Sequence, residues 1–119
     1  MSSQRFQISQ EQAVNVLQFF LPPSLDTLEI DSVIESVLQN IGTVGHGPWV
    51  VDLSQVQYMG SSMLGLFVNI RERIRQGGGT LVLCAMSPPL LRIFRTCCLE
   101  RLFTIVNSRP EALNRATRG

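Results

Sequence analysis

A buried strand that runs through a serine turn into a helix forces the chain to cross over a sheet, and residues 50–66 have that pattern. Val50, Val51 and Leu53 are apolar and mostly β-branched, which suits a strand covered on both faces. Asp52 is expected to end the apolar run. Gly60 then lets the chain turn without a Cβ clash. Ser61 or Ser62 is placed to accept a backbone N–H as the cap of the following helix. From Met63, the apolar residues Met63, Phe67, Ile70 and Ile74 recur at spacings of three or four and line one helix face. Arg71, Glu72, Arg73 and Arg75 fall on the wet side, and Gly77, Gly78 and Gly79 end the helix. A hydroxyl at a helix start sits among unpaired N–H groups in a weakly positive field. Such a position serves as a cap, and it also tolerates a phosphate.

The same alternation extends along the chain. Met1 to Gln12, with Phe6 and Ile8 between polar residues, forms either an edge strand or a loose terminus. Ala13 to Leu21 reads as a strand stopped by Pro22 and Pro23. Asp26 and Glu29 have capping-box spacing. Ile30, Val33, Ile34, Val37, Leu38 and Ile41 then mark a one-faced helix, with Gly42 as its expected stop. Thr43 to Pro48 reads as a glycine-rich loop. After the central unit, Leu81 to Ala85 is a fully apolar strand, and Ser87-Pro88-Pro89 opens a helix that turns Leu90, Leu91 and Phe94 inward. Thr104 to Val106 is a short last strand, and Ser108 with Glu111 caps a final helix carrying Ala112, Leu113 and Ala116. Strands joined by crossover helices imply an α/β fold, a mixed sheet of four or five strands with about four helices packed on it. Residues 1–12 are read as an extension or edge strand and residues 13–119 as one domain.

Several kinds of chemistry lack their residues. All ten basic residues are Arg, which removes a P-loop lysine, a Schiff-base lysine and a lysine base. His46 is the only histidine, and it sits between glycines in a loop. Alone it builds neither a metal site nor a triad, so no metal, cofactor or catalytic residue is expected. Ser61 lacks the G-x-S-x-G spacing of a nucleophile elbow. The three cysteines, Cys84, Cys97 and Cys98, form no C-x-x-C, and their odd number fits a reduced, cytoplasmic setting. A net charge of +1 gives no argument for direct nucleic-acid binding, and no apolar run has the length of a membrane span. The charge is unevenly spread, however. Residues 1–60 hold one Arg against six acids, and residues 61–119 hold nine Arg against three.

In order and spacing the chain resembles the STAS domain, and within it the bacterial anti-sigma factor antagonists, from about Val14 to Ala116. That family carries an aspartate-leucine-serine step, here Asp52-Leu53-Ser54. Its aspartate-serine-serine-glycine-leucine-glycine loop corresponds to Gly60-Ser61-Ser62-Met63-Leu64-Gly65. The early glycine-x-leucine-aspartate turn is echoed by Pro23-Ser24-Leu25-Asp26. The later glycine turn, apolar strand, serine-proline helix start and leucine-phenylalanine strand entry are similar to Gly78 to Leu83, Ser87-Pro88 and Leu99 to Phe103.

The resemblance implies a binding module rather than an enzyme. It would sequester a serine-kinase anti-sigma factor through a surface made of Asp26, Gly60, Ser61, Ser62 and Met63. The kinase would phosphorylate Ser61, with Ser62 as the fallback, and a serine phosphatase would reverse the step. Two positions depart from the family loop: Gly60 replaces its aspartate, and Met63 replaces its glycine with what reads as an exposed apolar side chain. These departures keep open a second expectation, a STAS subunit of a lipid-transport or stress-signalling assembly that is not phosphorylated.

Overall fold

The computed structural model describes residues 5–22, 25–44 and 47–117. Met1, Pro23, Ser24 and His46, named above, lie outside the described residues. The order of elements is β1 (Phe6–Glu11), β2 (Val14–Phe20), α1 (Thr27–Val44), β3 (Pro48–Gln55), α2 (Ser61–Gln76), β4 (Thr80–Cys84), α3 (Pro88–Thr96), a 3₁₀ turn at Leu99–Arg101, β5 (Thr104–Val106) and α4 (Arg109–Thr117). The five strands lie side by side in chain order. β1 pairs antiparallel with β2, and β2 to β5 are parallel.

This order decides where the helices sit. Each crossover from β2 to β5 steps to the next strand in one direction, and right-handed crossovers then place every connecting helix on the same face. Accordingly α1, α2 and α3 cover one face, and α4, which connects nothing further, returns over the other. Alternation along the strands supplies both cores. Leu17, Phe19, Trp49, Val51, Leu53 and Leu83 point toward α1–α3. Val14, Val16, Val50, Val82, Cys84 and Val106 meet Ala112, Leu113 and Ala116 of α4. Rings cross the larger core in sequence: Phe6–Phe19, Phe19–Phe67, Phe67–Phe94 and Phe94–Phe103, with centroids 5.4–6.5 Å apart. Such pairs add about 0.5–1.5 kcal/mol each beyond their area burial.

Residues 6–11 form the edge strand rather than a loose terminus. The hairpin turn to β2 is two residues long, with both Gln12 (φ 54°) and Ala13 (φ 64°) left-handed. The glycine run after α2 has a steric reason. Gly78 takes φ +81°, and a Cβ on Gly79 would stand 2.4 Å from the Gly47 carbonyl oxygen.

Three sequence expectations are corrected. Gly42 does not stop α1, which continues to Val44. Gly42 is exposed and a Cβ there would meet nothing, so the helix carries it at a cost of about 1 kcal/mol relative to alanine. The loop expected from Thr43 is correspondingly shorter. Asp52 does not end β3 but lies inside it, buried, with the strand running on to Gln55.

Candidate functional site

Parallel strands place the starts of their crossover helices at one edge of the sheet. The first turns of α1 and α2 therefore face the same rim, beyond the carboxyl ends of β2 and β3. At the start of α1 the Asp26 carboxylate accepts the Glu29 N–H at 2.8 Å, as the capping-box spacing predicts. Glu29 does not complete the box; its carboxylate accepts from Arg5 at 2.8 Å instead.

The start of α2 differs from its sequence reading. Gly60, extended at φ −85°, is the N-cap residue, and its carbonyl accepts the Leu64 N–H at 3.1 Å. Ser61 and Ser62 are the first two helical residues, and no side chain caps this end. Both serines are exposed. Their hydroxyls stand at the positive end of a 16-residue helix without serving as its cap.

Met63 is the second correction. It is 3% exposed and belongs to the core under α1 and α2, because a helix that begins at Ser61 turns its third residue inward. The methionine fills space in the core instead of projecting from the loop.

Next to the serines an open groove of about 210 Å³ runs between the two helix starts. Leu21, Leu25, Ile30, Tyr58, Met59 and Met63 form its apolar walls, and Gly60 completes the rim beside Ser61. Of the residues singled out in the sequence, Gly60 and Met63 line this groove directly. Asp26 stands beside it through Leu25, and Ser61 and Ser62 follow Gly60 on the helix. Tyr58 is 56% exposed, so the groove presents an aromatic side chain to a partner. Sequence reasoning passed over Tyr58. Its signal was an aromatic residue after Gln55 and Gln57 in the turn before Gly60, between the buried Val56 and Met59.

Asp52 and Ser54 of the aspartate-leucine-serine step face α4. Asp52 Oδ1 accepts the Ser54 N–H at 2.8 Å, and Asp52 Oδ2 accepts from Arg109 at 3.3 Å. Arg109 also reaches Gln18 Oε1 at 3.3 Å and Glu11 Oε2 at 2.8 Å. This step therefore anchors the sheet and adds no side chain to the groove. Beside it, burial pushes the Cys84 thiol up to about 12, with the Asp52 carboxylate adding to the rise and Arg109 opposing it.

Among the described residues no group of three His, Cys, Asp or Glu could hold a metal ion, and no helix is long and apolar enough to cross a membrane.

Residues 7–112 match the model of the STAS domain. An anti-sigma-B factor antagonist of Listeria monocytogenes is 32% identical over 90 residues, spanning 76% of this chain and 70% of that protein. BtrV of Bordetella bronchiseptica is 32% identical over 63 residues; the match spans 53% of this chain and only about half, 54%, of that relative. An anti-sigma-factor antagonist domain protein of Planctomyces limnophilus superposes with a TM-score of 0.80 at 23% identity, covering 94% of this chain and 97% of that one.

Proposed function

The chain belongs to the STAS domain family, and from that premise we propose that it is an anti-sigma factor antagonist whose binding surface is the rim around Ser61. The partner is a serine-kinase anti-sigma factor, which docks on the apolar groove and the two helix starts. Its kinase activity phosphorylates Ser61, and a serine phosphatase restores the hydroxyl. One observation carries the reading: Ser61 is exposed at the first turn of α2, has no capping duty, and adjoins an apolar groove.

The chemistry follows from that position. A neutral hydroxyl on the rim can be covered by a partner at little cost. A phosphate brings about −1.5 to −2 charges and strong acceptor oxygens. Within this chain the helix N-terminus accommodates that charge. A partner packed over the groove would have to desolvate it, and the complex weakens. Ser61 ranks above Ser62 because it adjoins Gly60 on the groove rim.

The second reading, a STAS subunit of a lipid-transport or stress-signalling assembly that is not phosphorylated, keeps one supporting observation. Gly60 presents no carboxylate beside Ser61 for a kinase to read. Met63 no longer argues for that reading, since its side chain is buried.

The experiment is an affinity capture from native-host lysate with wild type, Ser61→Ala and Ser61→Asp as baits, read by mass spectrometry. A serine-kinase anti-sigma factor held by the first two baits and lost from the third supports the switch. The same partner on all three baits supports the second reading.

A further inference from the structure

Two further exposed surfaces do not line the groove. The first is the outward stripe of α1. Leu28, Asp31 and Glu35 are spaced by three and four residues, so they share one helix face. All three are exposed, Leu28 to 81%, and neither acid has an ion-pair partner among the described residues. The second surface is on α3. There Pro89, Arg92, Ile93, Thr96 and Cys97 line an open, apolar hollow of about 330 Å³. Arg92 is exposed on its rim without an ion-pair partner among the described residues, and Arg95 beside it reaches Glu100 at 3.3 Å.

These surfaces sit on two helices of one layer. α1 packs against α2, and α2 meets α3 through Phe67 and Phe94. The α1 surface offers an apolar knob with two acids behind it. The other offers an apolar hollow with a guanidinium on its rim.

We propose that a second copy of this chain docks here, with Leu28 of one copy seated in the α3 hollow of the next and Asp31 and Glu35 facing its Arg92. Charge complementarity selects a second copy as the occupant. Asp31 and Glu35 behind Leu28 are exposed acids without ion-pair partners among the described residues, and Arg92 on the rim of the hollow is an exposed cation without one, so each surface offers the charge that the other lacks. Opposite charges steer the encounter and set its register, while the apolar contact supplies the burial. The knob and the hollow are different surfaces, so the contact is head-to-tail. Each pair therefore keeps one free knob and one free hollow, and assembly grows with concentration. Leu28 lies in the α1 start that the anti-sigma partner would cover, but this contact uses neither Ser61 nor its phosphorylation and its test contains only this chain, so its outcome is independent of the reading above.

The test is sedimentation velocity of the full chain from micromolar to millimolar concentration at low ionic strength, with Leu28→Arg and Arg92→Glu as variants. Both positions are exposed, and circular dichroism verifies folding; Leu28→Ser and Arg92→Gln replace either variant that fails to fold. The wild-type sedimentation coefficient should rise with concentration and fall back on adding salt. Each single variant should lose self-association by more than about tenfold. An equimolar mixture of the two should recover a 1:1 pair that grows no further, since each variant retains the surface that the other has lost. A wild type that stays monomeric throughout overturns the proposal, and it is the outcome expected if only a foreign acidic protein fits the hollow. Self-association that both variants retain, or a mixture that stays monomeric, overturns it as well.

Discussion

Arg109 Nη1 donates to Asp52 Oδ2 at 3.3 Å across 57 residues of chain, and so joins the start of α4 to the centre of the sheet. The Asp52 side chain is 6% exposed and that of Arg109 28% exposed. A second interaction, with Glu11, holds the same guanidinium over the edge strand. One side chain thereby ties β1, β3 and α4 together.

Removing Arg109 leaves a buried carboxylate with, among the described residues, only the Ser54 N–H to satisfy it. Breaking a buried pair from one side costs about 3–5 kcal/mol, and the partial exposure of Arg109 reduces that to about 2–3 kcal/mol. Urea unfolding of Arg109→Ala should show this loss. Asp52→Asn, which removes the charge and retains an acceptor for Ser54, should lose less.

The thiols should divide by location. Cys84 is buried, whereas Cys97 and Cys98 are exposed. A thiol reagent should label two of the three cysteines in the native chain and the third only after unfolding. Cys84 also adds a pH dependence. Its folded value of about 12 lies above the ordinary 9.0, so the unfolded chain loses this proton first as pH rises. The stabilisation is fully present below pH 9.0 and is lost as pH climbs toward about 12, at up to about 1.4 kcal/mol per unit. Cys84→Ala should flatten that part of the stability curve, measured by urea unfolding across the alkaline range.

Burial should separate Met63 from its serine neighbours. Met63→Ala removes a core side chain and should cost about 2–3 kcal/mol. Ser61→Ala removes a side chain that caps nothing and should stay within about 0.5 kcal/mol of wild type. Thermal or urea unfolding of the two variants checks the contrast. Equal losses would mean that Ser61 does cap α2.

The hairpin between β1 and β2 holds Ala13 at φ 64°, where a Cβ is strained. Ala13→Gly removes that strain in a two-residue turn whose geometry favours glycine. Stability should rise by about 0.5–1 kcal/mol, read from the urea midpoint.

These residues also mark how far the sequence could be read. The stripe from Ile30 to Ile41 and the stripe from Met63 to Ile74 are local periodicities, and both helices appear where the spacing puts them. The capping serines Ser87 and Ser108 were legible for the same reason: each bonds a backbone N–H three residues on, at 3.4 and 3.3 Å. Asp52 was misread because the guanidinium that pairs with it lies 57 residues away. Nothing near Asp52 distinguishes a strand end from a buried ion pair. Gly42 was misread because an exposed helix position tolerates a glycine. The groove was invisible as a unit, since Leu21, Ile30 and Tyr58 meet only when two crossover helices start at one edge of the sheet. At the α2 start, the residue types pointed to the correct turn, but the register was off by one. The extended Gly60 serves as the cap, which releases Ser61, while Met63 takes the core position that the stripe gives it rather than the exposed one read from the loop.

The most direct measurement of the Ser61 switch takes the purified anti-sigma kinase recovered with the wild-type chain, adds ATP, maps the phosphate by mass spectrometry and titrates both forms of the chain against the kinase. Phosphate on Ser61, accompanied by at least about a tenfold loss of affinity that Ser61→Asp reproduces, is the predicted result. An unmodified Ser61, or a phosphorylated chain that binds as tightly as before, would contradict the switch.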